Sequence, residues 1–168
     1  MLFALLVLAA VTLLVMQAGR PGPPEPLVGL ALPPLEVDGW LNTEGPLTAG
    51  DLRGQVVLVN FWSTSCPTCV VDVPNLVEFY EKFHDQGLTI VGLTPETATL
   101  GYLEQFVESA PGLEWPIGYG AGFVFELMSI PGTPTYILYD RTGRSVWAGH
   151  SLDGLEDAAI AALAAKSS

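Results

Sequence analysis

Cysteine, histidine and positive charge are all scarce in this 168-residue chain, which has two cysteines, two histidines and six basic residues against eighteen acidic ones. Each scarcity removes a class of function. Two cysteines cannot staple a small disulfide scaffold, and a chain of this length can bury a core without one. A formal charge of −12 repels phosphate backbones, so nucleic acid is not the expected partner, and strongly acidic partners are disfavoured. The histidines, His84 and His150, have no close companions. A zinc site built from four ligands at short spacing is therefore not spelled out, and both read as surface residues. A peroxidatic Pro-x-x-x-Thr-x-x-Cys is missing too, because Val59 and Ser63 stand in the Pro and Thr places. "GYGAG" (118–122) lacks the strand–loop–helix setting of a phosphate loop and reads as a turn.

Charge is also absent from "MLFALLVLAAVTLLVM" at the start of the sequence. Residues 1–19 would reach about 28 Å as a helix, close to one hydrocarbon core, and are read as a membrane anchor or signal peptide. The residues that follow match a small-residue cleavage site poorly, which favours the anchor. Arg20, just after the apolar run, leans by the positive-inside rule against export of the domain. Residues 20–34 carry six prolines and read as a semi-rigid spacer, with the folded domain at 35–168.

Strand and helix patterns then alternate. A leading hairpin and loop is expected over "LEVDGW" and "PLTAGDLRG". "QVVLVNFW" (55–62) reads as a strand buried on both faces. From Cys66 to Phe83, Val70, Val73, Val77, Tyr80 and Phe83 recur at helical spacing, with Pro74 expected to kink the helix. "LTIVGL" is a second strand, 99–110 a helix, and "TYILYD" and "SVWAG" a hairpin. "FVFELM" reads as core, and a last helix covers 152–165. The order β-α-β-α-β-β-α makes the fold α/β with a mixed sheet.

Both cysteines fall in "NFWSTSCPTCVVDVP" (60–74). Cys66 follows a buried strand where a helix begins, and Pro67 takes the first helical position. The helix dipole and the free amides of the first turn stabilise a thiolate there, which makes Cys66 the expected nucleophile. Cys69 lies three residues on along the same face, within closing distance of a disulfide, and is the expected resolving thiol. A four-residue staple would contribute only about 2 kcal/mol, a weak reason for the pair.

"VVLVNFWSTSCPTCVVDVP" together with "IPGTPTYILYDRTGR" resembles the membrane-anchored TlpA/ResA family of thioredoxin-like proteins, over residues 35–165. The resemblance implies a thioredoxin fold with an N-terminal β extension and a thiol–disulfide oxidoreductase. It implies no cofactor beyond the redox-active Cys66–Cys69 pair. It places a cis proline at Pro134 and offers the backbone of Thr133 to an extended partner segment. Asp72 matches an acidic residue the family carries three after its second cysteine, where it would raise the thiol pKa values or shuttle a proton. Pro67, Thr68, Thr133 and Trp62 form the expected substrate-binding set, with Trp62 packing beneath the site. Ser65 departs from the family's usual aromatic. Implied partners are protein thiols and disulfides, a membrane thiol-transfer protein as electron donor, and the membrane itself, with the domain extracytoplasmic. Apocytochrome c or copper-site assembly is the implied setting. A copper-capturing module and a disulfide-forming oxidant stay open, since a dithiol runs in either direction.

Overall fold

The computed structural model describes residues 27–97 and 100–165. Among these residues no helix is long and apolar enough to cross a membrane. The apolar segment 1–19 lies outside them, as do residues 20–26 of the spacer.

Six strands form one sheet: β1 (Gly39–Leu41), β2 (Val56–Phe61), β3 (Leu88–Thr94), β4 (Ile117–Tyr119), β5 (Thr135–Tyr139) and β6 (Ser145–Gly149). Among the described residues four α-helices accompany them: α1 (Pro67–Phe83), α2 (Leu100–Ser109), α3 (Gly122–Leu127) and α4 (Leu155–Ala164). The sheet order is β1-β4-β3-β2-β5-β6. β2, β3 and β4 run parallel, whereas β5 pairs antiparallel with both β2 and β6, and β1 antiparallel with β4. This is a thioredoxin-like fold, its mixed sheet flanked by helices.

All six residues of β2 are buried, because the strand is central and covered on both faces. Alternation divides its side chains between two cores. Val56 and Leu58 join Leu76 and Phe79 of α1, with Leu155 of α4, on one side. Val57, Val59 and Phe61 join Val124 of α3 and Met128 just after it, with the N-terminal segment, on the other. Removing a side chain such as Leu76, fully buried, would cost about 2–5 kcal/mol.

Four local expectations are corrected. β1 pairs with β4 instead of closing a leading hairpin. "GYGAG" spans the end of β4 and the start of α3, so it does lie between strand and helix, although α3 is a short helix without a phosphate-loop pattern. Of "FVFELM", Phe123 is 52% exposed while Val124 and Met128 are buried, because a single helix can turn only one face inward. The spacer's last residues, 27–34, pack onto the domain. Leu27 is buried, the Gly29 and Leu32 amides donate to Ser145 and Gly143 carbonyls, and Ala31 bridges Arg144.

Candidate active site

The carboxyl ends of β2 and β3 and the start of β5 lie together, since Phe61 is in register with both Leu93 and Thr135. The β2–α1 loop and the loop before β5 therefore emerge side by side. In thioredoxin-like α/β sheets this end is where a ligand finds several loops at once.

Cys66 caps α1 in an extended conformation, and its Sγ accepts the Cys69 amide at 3.2 Å. Pro67 occupies the first turn, where a missing N–H is harmless. Cys66 and Cys69 are joined as a disulfide with Cα atoms 5.3 Å apart. The two sulfurs differ in access: Cys66 is partly exposed, whereas Cys69 is 3% exposed and belongs to the core. Pro67 and Thr68 are exposed between them. Trp62 packs beneath the site as expected, in one core cluster with Cys69. It is 2% exposed and packs against Phe106, because β2 alternation turns it into the α1-side core, away from any docked partner.

The Thr133–Pro134 peptide is cis, with Pro134 buried and Thr133 partly exposed. His150 holds this loop. Its Nδ1 stands 3.0 Å from the Pro134 carbonyl and 3.1 Å from Thr135 Oγ1. The Thr135 hydroxyl already donates to the Gly132 carbonyl at 2.7 Å. Both neighbours of Nδ1 are thus acceptors, and Nδ1 carries the hydrogen.

Asp72 is partly buried, one turn beyond Cys69, and its Oδ2 accepts the Tyr136 hydroxyl at 2.8 Å. Burial first, then the hydrogen bond and charge of Asp72, push the Tyr136 pKa far above the ordinary phenol value. The hydroxyl is therefore a permanent donor to the Asp72 carboxylate.

Sequence reasoning missed Glu96 and underrated His150. Glu96 lies two residues past β3, and its carboxylate accepts the Thr64 amide at 3.1 Å, the Thr64 hydroxyl at 2.7 Å and the Thr94 hydroxyl at 3.0 Å. It braces the loop leading to Cys66. An acid just beyond a central parallel strand was the available signal. For His150 the signal was the predicted hairpin, which carries the residue after β6 back beside the start of β5; the register is Tyr136 with Gly149.

Residues 28–151 match the Redoxin family. The chain belongs to that family. Its fold is thioredoxin-like, and the chain is similar to thiol–disulfide oxidoreductases of the TlpA/ResA type. It is 45% identical over 65 residues to Protein DipZ of Mycobacterium tuberculosis, covering 37% of this chain and 9% of that protein. It is 32% identical over 97 residues to the thiol-disulfide oxidoreductase ResA of Halalkalibacterium halodurans, covering 57% of this chain and 54% of that one. The chain thus spans a small fraction of DipZ and about half of ResA. Among solved structures, a thiol-disulfide isomerase from Corynebacterium glutamicum superposes with a TM-score of 0.69 at 27% identity, covering 80% of this chain and 98% of that one. The thioredoxin domain of a Bacteroides vulgatus thiol-disulfide oxidoreductase gives 0.69 at 25% identity, covering 80% and 97%.

Proposed function

We propose that this protein is a membrane-tethered, extracytoplasmic reductant of particular protein disulfides, in apocytochrome c or copper-site assembly, recharged by a membrane thiol-transfer protein. The observation that carries the thiol chemistry is the unequal Cys66–Cys69 pair at the cap of α1, beside the Pro134 loop. The apolar segment 1–19 and the similarity to ResA support the tether and the direction.

In the reduced protein the Cys66 thiolate, stabilised by the first-turn amides, attacks one sulfur of a target disulfide. A mixed disulfide forms and the target's second sulfur leaves as a thiolate, which takes up a proton. Asp72 accepts the Cys69 proton as Cys69 attacks Cys66, releasing the second target thiol. Two electrons pass to the target with one proton from Cys69, by way of Asp72, and one from solvent, and the Cys66–Cys69 disulfide remains. The extended Thr133 backbone aligns the target segment by strand-like pairing.

The test is the reduction potential of the full chain, equilibrated in defined thiol–disulfide buffers. A value near or below about −250 mV supports the reductant reading, and one near about −120 mV overturns it in favour of an oxidant.

A further inference from the structure

The charges of this domain are unequally divided between the two ends of its sheet. Four Lys or Arg residues lie among the described residues: Arg53, Lys82, Arg141 and Arg144. None is at the redox end. Arg141 donates to the Gly54 and Gln86 carbonyls, and Arg144 to that of Gly29, all at the opposite end. Lys82 sits in the last turn of α1, paired with Glu156.

The segments that emerge at the redox end carry Glu36, Asp38, Asp72, Glu96, Glu126 and Asp153. Strand direction puts them there: they precede β1, begin α1, follow β3 and β6, or lie between β4 and β5. Fixed charges of one sign beside a low-dielectric surface attract opposite charge. Next to the disulfide, α1 also exposes apolar surface in its first turns, with Val70 36% and Val71 70% exposed.

We infer that the partner segment docking on this end is cationic, with Lys or Arg flanking its disulfide and an apolar residue next to the cysteine that meets Val70 and Val71. Charge complementarity selects this occupant over an acidic or purely apolar one. The inference rests on the thiol–disulfide reading and adds to it the chemistry of the substrate.

The experiment uses the reduced full chain and two dodecapeptides, each closed by one disulfide and identical except for four flanking positions, Lys in one and Glu in the other. Hydroxyethyl disulfide, small and neutral, reports the thiol chemistry separately. At about 10 mM ionic strength the Lys peptide reacts about 10-fold or more faster than the Glu peptide. At 1 M salt, where the Debye length is about 3 Å, the ratio falls below about 2-fold. The double variant Glu36→Lys, Glu126→Lys, two exposed carboxylates, lowers the low-salt ratio several-fold. Replacing the peptides' apolar residue by Ser slows the Lys peptide about 3-fold or more. Equal peptide rates at low salt, or a faster Glu peptide, overturn the inference while hydroxyethyl disulfide is still reduced. Failure to reduce any of the three overturns the thiol–disulfide reading, and this inference with it.

Discussion

Two tyrosines of β5 should respond in opposite directions to the same conservative change. Tyr136 and Tyr139 are both fully buried, on opposite faces of the sheet. The Tyr136 hydroxyl donates to Asp72 at 2.8 Å, whereas the Tyr139 hydroxyl has no hydrogen-bond partner among the described residues. Tyr136→Phe removes a bond to a charged group, worth about 1.5–3 kcal/mol. Because Asp72 is partly exposed and regains water, the lower end applies, a loss of about 1.5 kcal/mol. Tyr139→Phe removes a buried hydroxyl whose desolvation nothing offsets, and should gain about 1 kcal/mol.

The same pair makes a second, independent demand at high pH. Burial raises both phenol pKa values above the ordinary value near 10, with Asp72 adding to the shift at Tyr136. A group whose folded pKa is raised contributes its stabilisation below the unfolded pKa and loses it as pH rises. Between pH 9 and 11 each tyrosine costs the fold about 1.4 kcal/mol by linkage, so the wild type loses about 2.7 kcal/mol from the two. Each Phe variant should lose about 1.4 kcal/mol less over that interval. Urea unfolding of the oxidised chain at pH 7, 9 and 11 measures both effects. With a slope near about 2 kcal/mol/M, the two variants' midpoints differ by roughly 1.2 M at pH 7. Equal losses at pH 7, or an alkaline drop untouched by either substitution, would refute the reasoning.

Other substitutions address the site itself. Asp72→Asn should slow resolution of the mixed disulfide about 100-fold in stopped-flow release assays and shift the thiol titrations; titrations within error of wild type would remove Asp72 from the mechanism. Glu96→Ala orphans the Thr64 amide and should cost about 2 kcal/mol in urea unfolding, while slowing alkylation of reduced Cys66. His150→Ala should leave stability within about 1 kcal/mol but raise KM for a peptide disulfide more than it lowers kcat.

The central sheet was legible because its strands follow simple rules. β2 and β3 are continuous apolar runs, and the short "RTGR" link forces β5 and β6 into a hairpin. β4 was not legible. Only three residues long, one of them glycine, it has too little pattern to register, yet it completes the parallel half of the sheet. Gly118 is tolerated because its neighbours need the space: a Cβ there would stand 3.0 Å from Leu93 and Val37 side-chain carbons. The packed segment 27–34 was hidden by its prolines. What holds it is backbone pairing to Ser145 and Gly143, which composition does not reveal.

The face that α1 buries explains the site better than the helical spacing alone. Val70, Val73, Val77, Tyr80 and Phe83 mark the helical spacing in the sequence, but the buried set is Cys69, Val73, Leu76, Phe79 and Phe83. The two stripes share Val73 and Phe83 and diverge elsewhere. Hydrophobicity scores valine above cysteine at the first turn, but Cys69 must point inward if Cys66 is to cap the helix with its sulfur toward the Cys69 amide. Turning Cys69 inward gives the pair its unequal access, so that an incoming disulfide meets Cys66 first. The same rotation leaves Val70 and Val71 facing outward beside the exposed Pro67 and Thr68. These two apolar residues thus belong to the exposed surface beside the disulfide. One geometric choice at the helix cap sets both the unequal access of the two sulfurs and the apolar surface exposed beside them.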